Sequence, residues 1–131
     1  MSVQENERRN DESEDDQPDA KAWINRLGEC TGNHHESMVA VAEGLVIEIP
    51  DVAGRLRQAI SDGNAPEVQR RAHTLKSCLK YVSDGPEVTL AQRIEQYGQN
   101  QEIEAAQSVF SELEPELHTW VKRVQAWIDQ Q

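Results

Sequence analysis

The sequence predicts an all-α protein, an antiparallel four-helix bundle with a short additional N-terminal helix. Apolar residues recur at spacings of three and four along most of the chain, and Gly and Pro punctuate those stretches. No run of alternating β-branched residues is long enough to read as a strand. At 131 residues the chain has room for one ordinary domain.

Residues 1–19 hold eight acidic residues and two arginines with almost nothing apolar. Such a segment cannot offset its ordering entropy by burial, so it is expected to be a disordered acidic tail, with the folded domain covering 20–131. Ala22 to Leu27 is expected as the short first helix. A second runs from His35 to about Glu48, with Met38, Val41, Ala42, Leu45 and Ile49 at helical spacing, and Pro50 is expected to end it. A third covers Asp51 to Asp62 along Val52, Leu56, Ala59 and Ile60, closed by Gly63. Asn64-Ala65-Pro66-Glu67 is a capping-box pattern, and the fourth helix that it opens is expected to reach about Ser83. Asp84-Gly85-Pro86 separates it from a fifth, Glu87 to Tyr97, closed by Gly98. The last covers about Gln101 to Asp129, with Leu113, Leu117, Trp120, Val124 and Trp127 forming one stripe and Pro115 expected to kink or divide it.

Charge excludes some functions. A formal net charge of −11 disfavours binding to nucleic acid or to an anionic membrane, both of which carry negative phosphate. The longest apolar run, Met38 to Ala42, is far short of the roughly 20 residues that span a bilayer. The polar, acidic start of the chain lacks the apolar region of a secretory signal, so a cytoplasmic location is expected. Cys30 and Cys78 are expected as reduced thiols, Cys78 half-buried. His34-His35-Glu36 lacks metal-ligand spacing and is expected at a loop or helix start; no metal site is expected. The three tryptophans are expected in the core. No phosphate-binding loop, dinucleotide fingerprint or nucleophile elbow occurs, so ATP chemistry is not expected.

Residues 66–83, PEVQRRAHTLKSCLKYVS, carry four basic residues and one acidic residue inside an otherwise acidic protein. At about 100° per residue, Val68, Ala72, Leu75, Leu79 and Val82 share one arc facing the core. His73 stands opposite, and Gln69, Arg70, Lys76, Ser77 and Lys80 fall within about 60° of it. An imidazole so placed between two ammonium groups is expected to stay a neutral nucleophile, with the lysines available to phosphoryl oxygens. An ordinary solvated helix face accounts for these residues taken alone; a phosphate-handling site is the second reading.

Ala72-His73-Thr74-Leu75-Lys76 resembles the AHTLK core of histidine-containing phosphotransfer (HPt) domains. Leu90 and Ile94-Glu95 fall where members carry a Leu and a Leu-Glu pair on the next helix, and Leu45 to Arg71 resembles the preceding helical pair. The resemblance is good from about residue 45 to 97 and weaker beyond. Two positions depart from it: Ser77 and Ser83 stand where the family usually has Gly. Ser77, one turn from His73, is expected to occupy space that a partner loop approaches, narrowing the partner range or weakening transfer.

The resemblance implies a phosphocarrier of a two-component phosphorelay, taking a phosphoryl group onto His73 from one receiver aspartate and passing it to another. Lys76 and, by the helical wheel, Lys80 would supply charge; Gln69, Arg70 and Ser77 would face the partner. Glu95 would either accept a hydrogen bond from a His73 ring nitrogen or face water. The implied partners are a response-regulator receiver domain and a hybrid histidine kinase. Magnesium would sit on the receiver, so no cofactor of its own is implied, and the protein would be a phosphotransfer intermediate, not an enzyme. The alternative is a degenerate docking module that binds a receiver or kinase without carrying phosphate.

Overall fold

The structure is a computed structural model and describes residues 18–131. Five helices follow in order: α1 (Pro18–Cys30), α2 (His35–Ser61), α3 (Ala65–Leu79), α4 (Pro86–Gln99) and α5 (Ile103–Asp129). The expected acidic tail lies outside the described residues, except that Pro18 and Asp19 already belong to α1. Among the described residues there is no strand, and none of the helices is long and apolar enough to cross a membrane.

Short connections force consecutive helices to run antiparallel, and α2 to α5 close into a four-helix ring in which α2 also packs on α5. The core is one cluster containing the expected Val68, Ala72, Leu75, Leu79 and Val82, together with Leu56, Ile94, Phe110 and Leu113. Outside the ring, α1 inserts Trp23, which meets Trp120 and Trp127 of α5 edge-on at ring centroid distances of 6.2 and 5.8 Å. Trp23 and Trp120 are buried and Trp127 is partly so, in keeping with the expected core role.

The structure corrects several expected helix boundaries. Pro50 does not end a helix: the expected second and third helices are one, α2, with Pro50 inside it. An interior proline costs about 3 kcal/mol. The buried stripe Leu45, Ile49, Val52, Ala53 and Leu56 stays in register through it, and each large aliphatic side chain gains about 1.5–3 kcal/mol on burial. Burial wins, and Pro50 is tolerated because it lies on the exposed face. Pro115 is likewise exposed inside a continuous α5, so it does not divide that helix.

The fourth expected helix stops at Leu79 rather than Ser83. Arg26 of α1 donates through Nε to the Lys80 carbonyl at 2.7 Å, taking the acceptor that a further turn would use. The chain continues through hydrogen-bonded turns to Ser83, whose buried hydroxyl donates to Glu87 and accepts from the Gly85 amide. At the start of α3 only half of the capping box forms. Asn64 Oδ1 accepts from the Glu67 amide at 3.3 Å, while the Glu67 carboxylate turns to Arg70 and Arg71. Gly63, at φ 67°, takes the left-handed position after α2 as expected.

Gly98 does not close α4, which continues to Gln99; it is buried at the crossing of α3 and α4. A Cβ on Gly98 would lie 2.6 Å from the Gln69 amide nitrogen and 3.1 Å from the Ala65 carbonyl oxygen. Backbone therefore meets backbone, with no side chain end that could move aside. Gly98→Ala is expected to destabilise the fold by about 1–3 kcal/mol in chemical denaturation, as overpacking does. Gly54→Ala, in a helix with nothing within 4 Å of the added atom, should instead stabilise by about 0.5–1 kcal/mol. Equal effects at both sites would contradict the close approach.

Candidate functional site

Helix α3 is amphipathic in the sense needed to present one imidazole. Val68, Ala72, Leu75 and Leu79 are completely buried, which turns His73 outward with 60% of its side chain exposed. From the neighbouring helix, buried Ile94 anchors α4 and places Glu95 beside it. Glu95 Oε2 is 2.9 Å from His73 Nδ1, and Oε1 is 2.8 Å from Lys76 Nζ. Of the two roles expected for Glu95, the structure has the bonded one.

Lys76 forms an ion pair with Oε1, an oxygen that is buried and has no other partner. Burial by itself would push the Glu95 carboxyl up. The hydrogen bonds and positive charge of Lys76 and His73 outweigh it and hold the group below its usual value. An ionised carboxylate can only accept, so His73 Nδ1 must donate, which leaves the Nε2 lone pair free in the neutral ring.

Beside His73 lies an open groove of about 470 Å³ lined by Pro66, Gln69, Arg70, His73, Thr74 and Glu95. Arg70 is well exposed and donates to Glu67 at 2.7 Å; Arg71, more buried, donates to the other Glu67 oxygen at 2.8 Å. Ser77 turns its hydroxyl back to the His73 carbonyl at 3.1 Å, so the group expected to obstruct a partner is folded onto its own helix. Ser83 is taken up by the turn after α3.

The structure thus gathers His73, Lys76 and Glu95, with Gln69 and Arg70 along the groove. It does not gather Lys80, the exposed C-cap of α3, whose side chain is absent from both the Glu95 cluster and the groove lining. Lys80 keeps the helical direction that the wheel gave it, but seven residues put it about two turns, roughly 10 Å, from His73 along the axis, which a wheel does not show. The expected setting of two free ammonium groups is corrected as well: Lys76 is only 16% exposed and is spent on Glu95, and the carboxylate is what touches the ring. Glu67, read from sequence only as a cap, is the residue that holds both arginines; its spacing of three and four from them was the available signal.

The remaining candidates stay apart from this cluster. His34 is the N-cap of α2, while the His35 ring lies 6.2 Å from Trp127. Among the described residues no three His, Cys, Asp or Glu side chains gather as a metal site would require. Cys30 and Cys78 are free thiols, and burial, aided by the Glu48 carboxylate, pushes Cys78 up.

Because the Glu95 carboxyl is held low, its contribution to stability is full above the ordinary value of 4.5 and is lost as pH falls through its lowered value. The difference in unfolding free energy between the wild type and Glu95→Gln should therefore shrink on acidification, and Lys76→Ala should raise the Glu95 carboxyl titration seen by NMR. A difference constant between roughly pH 6 and 3, or an unmoved titration, would contradict the ion-pair geometry.

A family model, Hpt domain, matches residues 41–127, which takes in all of α3 and α4 and most of α2 and α5. The match continues well beyond residue 97, where the visible resemblance weakened. No curated protein and no solved structure matches the chain. On the strength of the family match, and in agreement with the helical ring and the outward His73, the chain belongs to the Hpt domain family.

Proposed function

We propose that this protein is a phosphocarrier in a two-component phosphorelay, accepting a phosphoryl group on His73 Nε2 from a receiver aspartate and passing it to another receiver. The observation that carries this reading is the bond from His73 Nδ1 to Glu95, since it commits one nitrogen of an exposed ring and leaves the other free.

In the accepting step the Nε2 lone pair attacks phosphorus as the bond from phosphorus to the aspartyl oxygen breaks, and that bond's electron pair returns to the receiver carboxylate. The Nδ1 proton stays on the ring, which becomes positively charged as the new bond forms. Glu95 already lies against that proton, so it opposes the growing charge without rearrangement. Transfer onward is the reverse displacement on a second receiver. Such chemistry needs positioning and charge more than acid or base, and magnesium would be supplied by the receiver. Lys76 holds Glu95 ionised and in place. The partners proposed are receiver domains and a hybrid histidine kinase, and the location proposed is the cytoplasm.

Incubation with a panel of phosphorylated receiver domains should place label on the wild type that is labile in acid and comparatively stable in base. His73→Gln should take none while still binding the receiver. Label that persists in His73→Gln would overturn the assignment. Relay output that survives that substitution would instead favour a docking module that carries no phosphate.

A further inference from the structure

Among the cations of the α3 face, the geometry points to Arg70 as the group that clasps the phosphoryl group on His73, a role that rests on the phosphocarrier reading and adds a catalytic residue to it. A helical side chain leans over the turn N-terminal to its own Cα, so the ring of His73 covers the turn that holds Gln69 and Arg70. The groove beside the ring is lined by Arg70 and Gln69 and by neither lysine.

The cost of releasing each cation differs. Were Lys76 to leave Glu95, it would strand Oε1, which is buried and has no other partner. Arg70 can leave Glu67 and the carboxylate keeps Arg71 at 2.8 Å on its other oxygen. With a side chain 67% exposed, Arg70 gives up only a weak surface pair. Charge leads to the same residue. Glu95 cancels Lys76, whereas Glu67 faces two guanidinium groups and leaves a surplus positive charge at the groove. A guanidinium also presents a planar fork that matches two phosphoryl oxygens at once, a fixed geometry that an ammonium lacks. Glu67 then acts as a parking position: it holds Arg70 beside an empty ring and yields it to the more highly charged phosphoryl group.

Two measurements on the full chain test this. Phosphoramidate, which phosphorylates imidazole nitrogen directly, loads His73 without any receiver. The Arg70 Nε–H resonance should shift on loading while the Lys76 ammonium signal changes little; an unmoved Arg70 signal on the loaded protein, or failure of phosphoramidate to load His73 beside its guanidinium, overturns the proposal. In transfer from receivers phosphorylated by acetyl phosphate, Arg70→Ala should lower the maximal rate by about tenfold or more, the scale above an exposed ion pair. The receiver concentration at half-saturation and the helicity should stay within about twofold of wild type. Glu67→Gln, which frees Arg70, should transfer at least as fast as wild type. A merely structural pair predicts the same phenotype for both variants, and that result would overturn the proposal. Loading by phosphoramidate with a shifted Arg70 signal, but no label from any receiver, would uphold the Arg70 contact and sink the phosphocarrier reading instead.

Discussion

The site depends on a contact that carries no chemistry, the approach of backbone to backbone where Gly98 meets Gln69 and Ala65. Gln69 lies one turn before His73 on α3, and Glu95 lies one turn before Gly98 on α4. Because the two helices run antiparallel, the crossing at Gly98 is one turn from the pairing of His73 with Glu95. A side chain at position 98 would push the helices apart there, and a hydrogen bond of 2.9 Å a turn away would lengthen with them. The glycine thus belongs to the packing of the core and, through spacing, to the function of the site.

Within that spacing one carboxylate does two jobs. Glu95 orients the imidazole through one oxygen and is itself held ionised by Lys76 through the other. Removing either partner disturbs both, since an unpaired buried carboxylate tends to protonate, and a protonated carboxyl no longer selects which ring nitrogen carries hydrogen. The second carboxylate, Glu67, pairs with two guanidinium groups, of which Arg70 lines the groove. Its surplus of cation leaves charge to spare for an anion, while the Glu95 cluster is balanced.

The sequence made the bundle, its core stripe and the outward position of His73 legible, because each follows from helical period and burial. Its errors have physical causes. Pro50 looked like a terminator when read locally, although Leu45, Ile49, Val52 and Leu56 keep one register across it, and that continuity was visible. Gly98 looked like a cap because the close approach of α3 cannot be seen from α4 alone. Lys80 shares the direction of His73 but lies about two turns along the axis from it, a separation that a helical wheel does not display. The Lys76 ammonium was expected at the phosphoryl group, and only the three-dimensional meeting of α3 and α4 reveals that Glu95 holds it. The role of Glu67 in holding two arginines was readable from its spacing and was overlooked beside its capping role.

The proposed chemistry requires that Glu95 fix the hydrogen of neutral His73 on Nδ1 and so leave Nε2 as the nucleophile. Nitrogen-15 NMR of the ring at a pH where it is neutral tests this most directly, since protonated and unprotonated ring nitrogens resonate far apart. A protonated Nδ1 and a bare Nε2 are expected in the wild type. A neutral ring with its hydrogen on Nε2 would contradict that requirement.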